Sequence, residues 1–250
     1  MGETVVLTAY MDPFKRDKYQ SIYKSMKSNY KLAMKMLYGN KEANVETYRK
    51  ELVDSFSTHY NYEYVDAGDV FATIEEETWE FREAQNLMEY NYHFSLLSTM
   101  YQMFEQQLRK FIYEELNHRL SPVRTDGEFA DFGANMGKIK KAFKHVNYDL
   151  ESNLYWHTID TLADLVNAYK HGDGRSAKNL YKKHPEFFLQ YHHTKERVMD
   201  RALTTNTEIV FDMKEANFDK FANTLIYFWD DFPEHLSGTY TFLDEKSKDN

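Results

Sequence analysis

Two histidines, two aspartates and an asparagine share one side of one helix-forming stretch. His157, Asp160, Asp164, Asn167 and His171 recur at steps of three, four, three and four residues. That spacing aligns side chains along a single helix face. Histidine is the side chain whose ordinary pKa lies nearest neutrality, so it can take and return a proton. His171 stands directly before Gly172 in "NAYKHGDGRSAKNL", and a glycine there suits the positive φ of a helix end. A helix C-terminus favours positive charge, as on Lys170 and a protonated His171. Beyond the break, Arg175 and Lys178 open a further helix, whose free N–H groups suit an anion. Asp173 or Ser176 is the expected cap of that helix. An imidazole that moves protons, beside cations and N–H groups that hold charge, is the chemistry of a phosphodiester site.

The charge balance singles out the same region. The chain carries a net charge of −9, which argues against indiscriminate nucleic-acid binding. Yet residues 136–184 hold nine Lys/Arg against five Asp/Glu. The row from His157 to His171 lies in this basic stretch of an otherwise acidic chain.

The elements that must position the row are helices. Nine glycines and four prolines in 250 residues disfavour a turn-rich β protein, and 20 Tyr with 18 Phe supply large rings for a core. Helices are expected over about 14–38, ended by Gly39-Asn40, and over 41–58. The clearest periodicity comes next. Leu87, Tyr90, Phe94, Leu97, Tyr101, Phe104, Leu108 and Phe111 alternate at spacings of three and four, one apolar stripe along a long helix. His93, Leu96, Met100 and Met103 widen it, and Ser98, Gln102, Glu105 and Arg109 form a polar row beside it. After a loop over 120–137 come a short basic helix at "KIKKAFKHV" and the helix over about 153–170. Tyr155, Ile159, Leu162, Val166 and Tyr169 are that helix's apolar stripe. A helix over 175–183, an extended "TEIVFDM" and an aromatic helix in "NFDKFANTLIYFWDDFP" complete the pattern. The expected fold is all-α: an antiparallel helical bundle over 71–240, a helical extension over 1–70 and a flexible tail over 241–250.

Two of these helices resemble those of the HEPN superfamily, all-α domains that include many defence and toxin ribonucleases. "LLSTMYQMFEQQLRKFI" resembles that family's first long helix, with Glu105 among aromatics. "YWHTIDTLADLVNAYKHGDG" resembles the helix bearing the motif Arg-Asn-x-x-x-His. Asn167 and His171 match the motif; Val166 stands where the arginine would be. The resemblance spans roughly residues 80–232. It implies metal-independent RNA cleavage, in which the 2′-hydroxyl attacks the adjacent phosphate and leaves a 2′,3′-cyclic phosphate. His171 would be the acid/base and Asn167 would orient it or bind phosphate. Arg175, Lys170 and Lys178 would bind substrate, with Asp164, His157, Glu105 and Arg109 completing the cleft. It further implies a homodimer acting on RNA in phage defence or a toxin–antitoxin system. The missing arginine keeps a second expectation open: a non-catalytic helical protein with a regulatory protein partner.

Other chemistries find little support. The chain has no cysteine, which excludes disulfides, thiolate zinc sites and a cysteine nucleophile. Glu115-x-x-His118 has the spacing of a di-iron carboxylate helix, but no second Glu-x-x-His accompanies it. No Walker A, GxGxxG, GxSxG or HExxH pattern occurs. No metal or cofactor is therefore expected. The opening "MGETVV" lacks signal-peptide and myristoylation character, and no apolar run is long enough to span a membrane. A cytoplasmic protein without membrane contact is the expectation.

Overall fold

The computed structural model describes residues 4–59, 66–117, 135–172, 174–191, 194–202 and 208–241. Among them, eight α-helices and a two-stranded sheet make an all-α chain with one β addition. The elements are β1 (Thr4–Tyr10), α1 (Pro13–Tyr38), α2 (Lys41–His59), α3 (Ala67–Asn117), α4 (Met136–Lys144), α5 (Trp156–His171), α6 (Arg175–Lys183), α7 (Val198–Ala202), α8 (Phe218–Asp231) and β2 (His235–Thr241). The expected tail beyond Thr241 lies outside the described residues. No described helix is long and apolar enough to cross a membrane.

The chain divides into two compact units that interleave along the sequence. The first takes Met1–Met26, Leu97–Asn167 and Phe218–Asn250; the second takes Lys27–Leu96 and Ala168–Asn217. A boundary near residue 70 falls inside the second unit's first segment. Residues 4–10 are not part of a helical extension either. They form β1, which pairs antiparallel with β2 in the register Leu7↔Gly238 and Tyr10↔His235.

In the first unit the α3 stripe meets an aromatic core. Phe104 stands edge-to-face on Phe228 at 5.0 Å and lies 6.0 Å from the Trp229 ring. One turn pair further, Phe111 meets Phe232 edge-on at 5.4 Å. The buried Trp229 indole is satisfied: its Nε1–H donates to Gln107 Oε1 at 2.9 Å, which also accepts the Tyr23 hydroxyl. A buried donor left unpaired there would cost a desolvation penalty of about 1–3 kcal/mol.

The sheet closes on α4 without room for a side chain. In β1, Leu7 and Ala9 point inward and Val6 points out, the period of two expected of a half-buried strand. A β-carbon on Gly238 would stand 2.1 Å from the His145 carbonyl oxygen. Asn147, at φ 54, donates its side-chain N–H to Ser237 O at 3.0 Å and ties the turn to the strand. Gly238→Ala is therefore expected to cost roughly 1–3 kcal/mol, as overpacking does. The urea midpoint should fall; an unchanged midpoint would show that the strand can move away.

In the second unit, α2 and the first half of α3 are joined by ion pairs: Lys41–Glu89 at 2.6 Å and Arg49–Glu75 at 2.7 Å. The Tyr48 and Phe81 rings stack at 4.3 Å. Asp66 starts α3 by accepting the Gly68 N–H at 2.6 Å, an N-cap role. Phe188 and Phe211 pair by an isolated bridge, with their rings 5.0 Å apart. That bridge is where the expected extended segment over 207–213 becomes structure.

Candidate functional site

α5 carries the row, and its burial pattern shows which side the row occupies. Ile159, Leu162, Leu165, Val166 and Ala168 are buried. His157, Asp160, Asn167 and His171 are exposed and Asp164 is half-buried. The row thus faces solvent and is not enclosed. Val166 is 2% exposed, so the position that an arginine would hold in the family motif belongs to the core. It lies five residues before His171, away from the row's side of the helix.

The middle of the row is acidic. Glu105 and Arg109 do not open a cationic cleft, because they close on each other at 2.6 Å. Burial raises the Tyr101 pKa well above its ordinary value, and the charges of Glu105, Asp160 and Asp164 raise it further. These three carboxylates are therefore within electrostatic reach of one ring in the first unit. Ser98, in the same polar row of α3, is buried and its hydroxyl finds no partner among the described residues.

The cations gather at the other end. Lys170 and His171 close α5, and Gly172 turns the chain at φ 56. α6 then starts from Gly174, whose backbone is extended and which offers no side-chain cap. Ser176 lies inside the helix, and Asp173 lies outside the described residues. α6 buries Ala177 and Leu180. Arg175, Lys178 and Lys182 lie on its exposed side at steps of three and four, the arrangement of one helix face. Among the described residues none of Lys170, Arg175, Lys178 and Lys182 is in an ion pair, unlike Lys15, Lys41, Arg49, Arg82 and Lys140.

Sequence reasoning missed two features of the second unit. The first is a cavity of about 380 Å³ beside the end of α5, lined by Tyr90, Asn91, Tyr169, Lys170, Glu208 and Phe211 among others. Tyr169 looks in the sequence like one more apolar stripe residue, and its hydroxyl gives no signal there. In the fold it donates to Asn91 Oδ1 at 2.9 Å. The second is the pair of partners of His93, which was expected on the apolar face and is 1% exposed. Its Nε2–H donates to the Ala216 carbonyl at 2.9 Å, so its Nδ1 accepts from the Tyr30 hydroxyl at 2.7 Å. The only hint in the sequence is a histidine on an apolar face.

His93 makes a pH prediction. Burial pushes its pKa down from 6.5 to about 4. Between those values the unfolded chain binds a proton that the folded chain refuses, so stability falls as pH drops through that window. The loss from this one group is roughly 3 kcal/mol by pH 4. His93→Gln, which keeps a donor for Ala216, is expected to flatten the dependence of the urea midpoint between pH 6.5 and 4. An equal slope in variant and parent would remove His93 as its source.

No group of three or more His, Asp or Glu residues among those described is placed to hold a metal. Glu115 is engaged by Lys15 at 2.7 Å and by the Tyr10 N–H at 3.0 Å; His118 lies outside the described residues. No protein family, curated protein or solved structure matches the chain.

Proposed function

We propose that this chain is a HEPN-like RNA-binding protein that holds the phosphate backbone on the end of α5 and the exposed side of α6. The observation that carries this reading is the row of cations Lys170, Arg175, Lys178 and Lys182, none of them ion-paired among the described residues, around a helix start whose N-cap Gly174 has no side chain, in a chain of net charge −9. Lys and Arg side chains without carboxylate partners can neutralise phosphates, which releases the cations condensed on the nucleic acid, and that release drives binding. The setting we assign is phage defence or a toxin–antitoxin system, with a second copy of the chain forming a homodimer.

Binding is favoured over turnover. The His157–His171 row is open to solvent, its middle carries Asp160 and Asp164, and Val166 is buried. A phosphorane's charge needs cations in a water-poor site. Metal-independent cleavage is the second reading, favoured by His171 standing exposed beside Lys170, one turn beyond Asn167. His171 would then move the proton, and Arg175 would supply the charge that position 166 lacks. A regulatory role with a protein partner follows if the exposed row meets protein in place of RNA.

The test is a titration of the purified chain into fluorescently labelled single-stranded RNA, read by anisotropy. Saturable binding that weakens steadily with added salt is expected. No anisotropy change at low salt would end the RNA reading. Incubation with total RNA in EDTA, with and without His171→Ala, separates the other possibility. Cleavage lost in the variant would move the assignment from binding to catalysis.

A further inference from the structure

The cavity of the second unit adjoins the cationic row through a shared residue, since Lys170 both lines it and begins the row. We propose that this cavity receives one unstacked nucleobase of a single-stranded RNA whose backbone runs over Lys170, Arg175 and Lys178. The inference rests on the RNA-binding reading and adds what the strand presents besides phosphate.

The walls suit a flat ring. Tyr90, Tyr169 and Phe211 line the cavity, and base–aromatic stacking is the common means of holding an unpaired base. Tyr169 is fixed before any ligand arrives. Its ring stacks on Phe94 at 5.4 Å with 27° between the planes. Its hydroxyl donates to Asn91 Oδ1 at 2.9 Å and lies 3.3 Å from Ser95 Oγ. A ring held by both its face and its hydroxyl loses little freedom when a base stacks on it.

The polar lining selects the ring over the phosphate. Asn91 has spent its carbonyl oxygen on Tyr169, which leaves its amide N–H groups as donors. Glu208 adds a carboxylate to the same lining. A carboxylate repels a phosphate drawn inside but accepts from the N–H groups on a base edge. Lys170, which belongs to the same lining and begins the cationic row, then pairs with the phosphate of the base that enters. The volume, about 380 Å³, falls at the small end of ligand sites, the scale of one nucleoside. Gly172, also in the lining, has open space among the described residues where a β-carbon would stand.

The test compares three probes on the unaltered chain by anisotropy and competition at one low salt concentration. They are a labelled single-stranded RNA, an abasic strand of equal length and charge, and a free nucleoside monophosphate. Tyr169→Ala and Tyr169→Phe are measured alongside, with circular dichroism to verify folding. The abasic strand is expected to bind about tenfold more weakly than the RNA, the cost of losing one stacked base. Tyr169→Ala should lose a similar factor for RNA and nothing for the abasic strand, while Tyr169→Phe, which keeps the ring but not its tie to Asn91, should lose a smaller factor. Equal binding of RNA and abasic strand overturns the inference and leaves the backbone reading standing; this arm needs no variant. A free nucleotide that binds as tightly as the strand overturns the assignment to a strand. A chain that binds no RNA at all overturns both.

Discussion

Reversing three charges at once, in K170E/R175E/K178E, is expected to lower the affinity for single-stranded RNA by about a hundredfold or more at low salt. Each lost phosphate contact reduces the salt slope of binding by roughly 0.7 for a single strand, so three should reduce it by about 2. Fold stability should barely change. All three side chains are exposed and none is ion-paired among the described residues, and substitutions of that kind stay within about 0.5 kcal/mol. Net charge must be separated from place. Reversing Lys18, Lys50 and Lys110, which are also exposed, changes the total charge equally but lies elsewhere on the chain. That control should bind RNA nearly as the parent does. If both triple variants lose the same affinity, the effect is global charge, and α6 holds no special surface.

Phe104→Ala is expected to cost about 3–5 kcal/mol, the range for truncating a large buried ring. Phe104 is fully buried. It touches three aromatic neighbours: Phe228 at 5.0 Å, Trp229 at 6.0 Å and Trp156 at 6.3 Å. Those rings come from α5 and α8, which cannot close over the gap without leaving their own packing. The lost dispersion is therefore not recovered. Phe14→Ala removes the same side chain from a site 81% exposed and should shift the midpoint little. Urea unfolding of both variants reads the difference. Equal shifts would mean that the stripe of α3 is not the core of the first unit.

The helices were legible because their information is local. The three-four spacing from Leu87 to Phe111 marks a helix whichever partners it meets, and all but Leu87 of that stripe is buried. α6 begins and ends at Arg175 and Lys183, the limits that the glycines and His184-Pro185 suggest. The strands were not legible, because each is seven residues long and its partner among the described residues lies at the other end of the chain. The same long-range pairing brings residues 1–26 into one unit with 218–250, against a boundary drawn from local composition.

The site was legible in part, for the same reason. Charge is additive along the sequence, so the basic stretch and its helix break could be read directly. Whether a helical row is covered is not local. His157, Asp160, Asn167 and His171 prove exposed and Asp164 half-buried, and Glu105 with Arg109 form a pair of their own. Tyr169 gains its partner Asn91 from a residue 78 positions earlier, so the cavity that they line leaves no trace in either segment's spacing. Val166 shows the reverse: its identity was plain in the sequence, but only the fold shows that the position is buried and away from the exposed row.

Photo-crosslinking of the folded chain to single-stranded RNA, with the adducts mapped by mass spectrometry, tests the central claim most directly. Adducts are expected on peptides that cover residues 168–183, and excess unlabelled RNA should abolish them. Adducts confined to other segments, or none under conditions where anisotropy reports binding, would contradict the assignment of the α5–α6 cations as the RNA-binding surface.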